Sequence, residues 1–409
     1  MSIARGAARM RAPRATQRHA VWAALALGAA AVGCGAYAAS VRASAVSRFT
    51  DVALTTSDAL QRDRAHRFDP HDPVVHRHLQ LRSDTAWSIP SSGVDARARM
   101  SIFSFYAKDP EIQVERAYTP LAMCARGEPG VLDLIVKRYS DGEVSRYLHH
   151  LRTGTSVAIR GPECTWRLPD DTAMPTEVVM IVAGTGITAA YQLLSNVFGS
   201  RQHAPADAPH FTVLYAAPSV DAFVLLPELA SLKQRFSAHV DLGLWAERVP
   251  HGGRAVFAGV LSPPLDAELL VGEAAPRWCR WLSPGRPPTT YELRWGSGSP
   301  SESVHVTPGR MHEAQLASWI GSGDKAGRGI PARGAVDNAL SRTSGQLDQA
   351  PSRIVLVCGP DGYVVNARGA HARFIAAVAG AKGWDAVSQG ALGGILARLG
   401  YTSAQVVKL

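Results

Sequence analysis

Four short motifs carry residue types suited to phosphates and flat aromatic ligands. Arg116-Ala117-Tyr118-Thr119-Pro120 places a guanidinium close to an aromatic ring and a hydroxyl. The planar fork of Arg pairs phosphate oxygens bidentately, which suits a pyrophosphate. Gly142-Glu143-Val144-Ser145 opens a predicted short helix, where Gly permits close backbone approach and the first N–H groups face an anion. Ala183-Gly184-Thr185-Gly186-Ile187-Thr188 falls between a predicted strand and a predicted helix, the setting of a dinucleotide-phosphate turn. Cys358-Gly359-Pro360-Asp361-Gly362 ends another predicted strand, at a carboxyl edge where open sheets bind ligands. Alone, each motif has a plainer reading: surface decoration, an ordinary turn, a ligand-free βα turn, a buried structural Cys.

The elements that must position these motifs fall into two patterns. From about 75 to 170 the signals are short strands: Ser101 to Tyr106, Val131 to Lys137, and Val157 to Ile159 ending at Arg160-Gly161-Pro162. That spacing predicts a small antiparallel barrel, with a short helix over Val144 to Leu151. From about 176 strands and helices alternate. Val178 to Val182, Phe211 to Tyr215, His239 to Leu244 and Arg353 to Val357 read as strands. Tyr191, Leu194 and Phe198, then Leu229, Leu232 and Phe236, fall at helical spacing, so a doubly wound parallel sheet is expected. The alternation breaks at about 246–350, a Gly-, Pro- and Ser-rich insertion expected to form loops around one helix near Met311 to Ile320.

The 409 residues hold 43 Lys+Arg and 34 Asp+Glu, a formal charge of +9. The first 50 residues contain seven Arg and no Lys, Asp or Glu, which leaves 36 basic and 34 acidic side chains on the other 359. A basic nucleic-acid-binding body is thereby excluded. Residues 1–19 have the Arg-rich, acid-free composition of a mitochondrial presequence. Residues 20–41 are uncharged and long enough to span a bilayer, though weakly apolar with ten Ala. They read either as a single transmembrane helix or as part of a long cleaved leader. Residues 42–66 read as a polar linker. Five scattered Cys make no disulfide framework, and Cys124, Cys164 and Cys279 are expected to be packing residues. His76, His78, His149 and His150 have no metal-completing partners by spacing and are expected to be exposed, so no metal site is assigned. Trp278, Trp281 and Trp295 are expected to patch a small core in the insertion. No P-loop, nucleophile elbow or paired-carboxylate motif is present.

In this order and in these two architectures, the motifs resemble the ferredoxin–NADP reductase superfamily, in its NADH–cytochrome b5 reductase branch. The resemblance covers about 67–245 and 305–409. It rests on Arg116-x-Tyr118-Thr119-Pro120, Gly142-x-x-Ser145, Arg160-Gly161-Pro162, Gly184-Thr185-Gly186-Ile187-Thr188 and Cys358-Gly359-Pro360. It implies a β plus α/β fold: an antiparallel FAD-binding barrel at 67–170, then a doubly wound nucleotide-binding domain at 171–409. It implies that Arg116 binds the FAD pyrophosphate with Gly142 to Ser145, and that Tyr118 packs on the flavin. Thr119 would lie near flavin N5, with Cys358 beside the nicotinamide; these two are the candidate catalytic residues. Gly184, Thr185 and Gly186 would hold the nicotinamide dinucleotide, and Asp221 would favour NADH over NADPH. Lys137, Val144, Gly359 and Pro360 complete the candidate cofactor-binding set. Gly309-Arg310-Met311 resembles the family's segment before the helix that precedes Cys-Gly-Pro. Ala183 and Ala189 depart from the family's Gly and Pro, and a methyl at 183 is expected to narrow the dinucleotide's approach.

The C-terminal run through Ala379-Gly380-Ala381-Lys382, Gln389-Gly390, Gly393-Gly394 and Leu399-Gly400-Tyr401 is similar to a fungal mitochondrial branch. Its members are inner-membrane flavoproteins facing the intermembrane space that support haem attachment to cytochrome c. The resemblance therefore implies transfer from NAD(P)H through FAD to a haem or cytochrome. The alternatives are a flavin-binding assembly factor with little turnover, and a general NADH–cytochrome b5 reductase.

Overall fold

The computed structural model describes residues 49–62, 74–84, 87, 96–121, 130–170, 172–199, 201–271, 291–296, 302–321, 353–359, 364–365, 371–372, 374–380 and 389–409. The presequence and the span expected at 20–41 lie outside these residues. Among the described residues no helix is long and apolar enough to cross a membrane.

The first sheet is six-stranded and antiparallel: β1 (Thr50–Arg62), β2 (Val74–Arg82), β3 (Ser101–Lys108), β4 (Glu115–Tyr118), β5 (Val131–Lys137) and β6 (Ser156–Arg167). Its order is β4-β3-β6-β1-β2-β5. Just past β4, the Leu121 N–H donates to Asp133 O of β5 at 2.9 Å, which draws the two outer strands together. Alternating residues fill the interior, among them Leu54, Leu79, Leu81, Phe103, Phe105, Leu132, Leu134, Val157 and Ile159. A short helix α1 (Ala96–Arg99) precedes β3, and α2 (Glu143–His150) drops Val144 and Leu148 into the same core.

Two expectations change here. The linker expected at 42–66 contains β1, which pairs with both β2 and β6. Its Asp51, Thr55, Thr56 and Asp58 made it read as polar, yet Val52 and Leu54 are core residues. Likewise β6 does not stop at Arg160-Gly161-Pro162 but runs through it. A register shift opposite Ser104 to Tyr106 and a φ of +136° at Gly161 accommodate the proline within the strand.

The second sheet has nine strands: β7 (Glu177–Ala183), β8 (His210–Ser219), β9 (Val240–Arg248), β10 (Gly253–Phe257), β11 (Leu265–Val271), β12 (Tyr291–Trp295), β13 (Glu302–Pro308), β14 (Arg353–Cys358) and, last in the chain, β17 (Val406–Lys408). A two-residue pair, β15 (Val364–Val365) and β16 (His371–Ala372), stands apart from it. The order is β10-β11-β12-β13-β9-β8-β7-β14-β17, and the run from β13 to β17 is parallel. Helices α3 (Ile187–Val197) and α4 (Leu226–Arg235) cover one face. Helices α5 (Glu313–Ile320), α6 (Phe374–Ala379) and α7 (Gly394–Arg398) cover the other. Both faces are buried, which is why β7 reads as a continuous apolar run.

The insertion is more ordered than expected. Its strands β10, β11 and β12 form an antiparallel meander that β13 joins to the parallel sheet. Leu269, Leu293, Trp295, Val304 and Val306 alternate into the core, a period of two hidden among Gly- and Pro-rich links. Glu228 of α4 pins the meander. Its Oε1 accepts backbone N–H groups from Val260 (2.6 Å), Leu261 (2.9 Å) and Ser262 (3.2 Å).

Candidate active site

The two sheets share one apolar cluster. Met100, Ile102, Leu121, Ile135, Trp166 and Leu168 from the barrel join Met180, Leu193 and Leu194. Polar contacts cross as well. Gln192 of α3, fully buried, accepts the Phe103 N–H at 2.7 Å and donates to Phe103 O (3.1 Å) and Pro120 O (2.9 Å). Asn196 donates to Ser101 O at 2.8 Å. Pro120 closes the Arg-x-Tyr-Thr-Pro motif, and α3 begins at the Gly184 turn, so the Gln192–Pro120 bond ties two motifs together.

On the barrel side, Arg116 is exposed at the edge strand β4 and is bonded to the carbonyl of Glu115. Arg160 steadies that strand through Glu115 at 2.8 Å and stacks on Tyr106, 4.2 Å from the ring centroid. Tyr118 is held against the barrel core. Burial pushes its phenol pKa up, Tyr139 adds to the rise, and Arg116 opposes it. The Lys137 ammonium lies 5.2 Å from the Tyr139 ring centroid, and burial pushes its pKa down. The Tyr139 N–H donates to Ser145 Oγ (3.2 Å), which in turn donates to Gly142 O (2.9 Å). The fold thus brings Arg116, Tyr118, Lys137, Gly142 and Ser145 together, with Tyr139 among them. Sequence reasoning missed Tyr139, although it follows Lys137 by two residues on the same chain segment.

The Val144 side chain is buried in the barrel core, which leaves its backbone alone to face a ligand. Ser145 spends its hydroxyl on the turn, so it shapes the cradle instead of offering a free donor. Gly142 leaves room for the turn: a Cβ there would stand 2.6 Å from Ser145 Oγ and 3.0 Å from Tyr139 Cβ, so the Ser145 hydroxyl would have to shift. Thr119, half-buried, lies 3.3 Å from Ser104 Oγ, which bonds Thr165 Oγ1 at 2.7 Å. That chain of hydroxyls fixes the direction of the Thr119 side chain.

This donor set fits FAD. A guanidinium, a desolvated ammonium and a helix start with no side-chain cap suit a pyrophosphate, whose charge would offset the burial of Lys137. The Tyr118 and Tyr139 rings offer flat apolar faces.

On the second sheet, β7 and β14 are neighbours, and chain order runs outward from them in opposite directions. The Gly184–Gly186 turn ends β7 and Cys358 ends β14, so both motifs sit at the switch point of the sheet. Gly184 has φ +54°, and the Thr188 hydroxyl donates to Thr185 O at 2.9 Å. Gly186 touches the Cys358–Gly359 backbone. Cys358 is half-buried; Pro360 lies outside the described residues. Ala183 packs its methyl into the core beside Ala216 and Trp245, so it does not narrow the turn as expected.

Next to this edge, a cavity opens at the carboxyl ends of β8, β9 and β13. Ala216, Ala217, Trp245, Glu247, Arg310 and Met311 line it, with an Arg310–Glu247 ion pair of 3.0 Å. Asp221 is exposed on the single turn Val220–Ala222 that follows β8, while Val220 and Ala222 on either side of it are buried.

The expected exposed histidines are mostly buried. His76, His78 and His149 are buried, and only His150 is exposed. His78 Nε2 meets Asp133 Oδ1 at 2.6 Å, and His76 Nδ1 meets Gln61 Oε1 at 2.5 Å. These side chains complete the outer face of β2 and β5. Cys164 is exposed on β6 and is not a packing residue. Trp295 is in the core, while Cys34, Cys124, Cys279, Trp278 and Trp281 lie outside the described residues. Among the described residues no cluster of His, Cys, Asp and Glu could hold a metal.

Residues 101–168 match a family described as the oxidoreductase FAD-binding domain. NADH-cytochrome b5 reductase 2 of Neurospora crassa is 28% identical over 211 residues, covering 50% of this chain and 59% of that protein. An uncharacterized FAD-binding protein of Schizosaccharomyces pombe is 42% identical over 127 residues, covering 30% of this chain and 46% of that protein. The chain thus spans about half the length of these curated relatives. The cytochrome b5 reductase domain of Ulva prolifera nitrate reductase superimposes with a TM-score of 0.48 at 15% identity, covering 88% of this chain and 97% of that one.

Proposed function

We propose that this chain is a FAD-dependent oxidoreductase that takes electrons from NAD(P)H and passes them to a haem or haem-protein acceptor. One observation carries the reading. The Gln192 bond to Pro120 O ties the residue after Thr119 to the helix that follows the Gly184–Gly186 turn, which supports a flavin site and a nicotinamide site lying close together. FAD, when bound, accepts a hydride and gives up electrons one at a time.

The chain's own residues position and exclude. Arg116, Lys137 and the amide end of α2 would hold the pyrophosphate. Tyr118 and Tyr139 would cover ring faces and keep water from them. Ser104 and Thr165 hold the Thr119 hydroxyl in a fixed direction for one hydrogen bond. The Gly184–Gly186 turn would hold the dinucleotide backbone, and Cys358 would border its reactive end. Hydride transfer needs no protein base, and none is assigned.

NADH is the proposed donor, after the relative from Neurospora crassa. The proposed setting is the mitochondrial inner membrane, with the body in the intermembrane space and cytochrome c haem attachment as the process served. The acid-free, Arg-rich first 50 residues and the C-terminal run from Gln389 to Leu409 support that setting. The test is NADH-driven reduction of ferricyanide and of ferric cytochrome by the flavin-loaded full chain. Reduction of both supports the reading. A flavin-loaded protein that reduces neither would leave a flavin-binding assembly factor.

A further inference from the structure

We propose that Gln192 is a positioning residue that acts as a surrogate peptide group between β3 and β4 and thereby sets the distance between Thr119 and the Gly184–Gly186 turn. The inference deepens the flavin-reductase reading and rests on it. Strand β4 pairs with β3 through Phe105↔Tyr118, so the same register carried on would set Ser104 opposite Thr119 and then Phe103 opposite Pro120. That pair cannot close, because Pro120 has no N–H to give to Phe103 O. The Gln192 amide enters the gap. Its Oε1 takes the Phe103 N–H, and its two amide protons go to Phe103 O and Pro120 O. The assignment of Oε1 and Nε2 is forced, since only this orientation matches one donor and two acceptors.

The gap is also where Thr119 lies. A direct ladder would draw Pro120 against Phe103; the inserted amide spreads the strands there. Gln192 is six residues beyond Gly186, about 9 Å along a rigid helix. The path from turn to hydroxyl therefore runs through one helix and one side chain. No other residue type replaces it: Glu lacks the two donors, Leu and Met lack all three bonds, and Asn is a methylene short.

The test uses the flavin-loaded full chain carrying Gln192→Leu, with Gln192→Met, of similar reach, if the leucine variant does not fold. Asn196→Ala removes a bond from the same helix outside the gap and serves as the comparison. Stopped-flow reduction by NADH gives the limiting rate and the half-saturating concentration; visible circular dichroism reports the flavin's setting without turnover. The expected result for Gln192→Leu or Gln192→Met is retained FAD, an altered flavin dichroism and a limiting rate lower by roughly 10-fold or more, as for a small misplacement of reacting groups. Half-saturation changes little, and Asn196→Ala keeps the wild-type limiting rate. A wild-type rate and dichroism in either folded Gln192 variant overturns the proposal, as does an equal loss in Asn196→Ala. If NADH fails to reduce the wild type, the reductase reading fails by itself, and the dichroism of the variants still decides the role of Gln192.

Discussion

Gly186 faces Cys358 so closely that a Cβ on Gly186 would stand 2.6 Å from the Cys358 carbonyl oxygen and 3.1 Å from the Gly359 nitrogen. The two ends of the switch point are thus in backbone contact, and the glycine is needed for proximity.

Gly186→Ala must push β14's end away from the turn. Overpacking of this kind costs about 1–3 kcal/mol. The expected outcome is unchanged flavin content, a lower melting temperature and a loss of NADH-driven flavin reduction. Absorbance at the flavin band before and after NADH separates the two effects. Wild-type reduction in this variant would contradict the contact's role.

His76 makes stability depend on pH. Burial holds its pKa well below the usual value, and Lys137 and His149 add to the fall. Above about pH 6.5 the group is neutral in both states and costs nothing. Below that pH the unfolded chain takes up the proton first, so stability falls as pH drops toward the folded value. Melting curves of the apo-protein from pH 7.5 to 5 should show this decline, and His76→Gln should flatten it. An equal slope in both proteins would exclude His76 as a source.

Glu228 should matter to stability and not to flavin. Removing its carboxylate in Glu228→Ala strands three backbone donors at Val260, Leu261 and Ser262, at a cost of about 3 kcal/mol. Urea denaturation measures the loss, and flavin absorbance should not change. A loss under roughly 1 kcal/mol would mean that the meander holds without this anchor.

Much of this arrangement was legible in the sequence where one signal dominated. Val131 to Lys137 and Val178 to Val182 are short, mostly apolar runs, and both form strands. Gly184 and Cys358 stood at strand ends, and the fold puts them at neighbouring ends. The meander escaped because Leu265 to Val271 and Tyr291 to Trp295 alternate for only a few residues between Gly- and Pro-rich links. Strand β1 escaped because its outward face is polar. The partners of Gln192 lie 72 and 89 residues away, and no local pattern announces them.

The central claim is that a flavin bound through Arg116, Lys137 and the α2 amide end lies within reach of a dinucleotide at Gly184–Gly186. Anaerobic addition of NADH to the purified, flavin-loaded chain tests it most directly. The account predicts that the flavin's visible absorbance bleaches, and that Arg116→Ala purifies with little flavin to bleach. A wild-type flavin that stays oxidised under excess NADH and NADPH would contradict it.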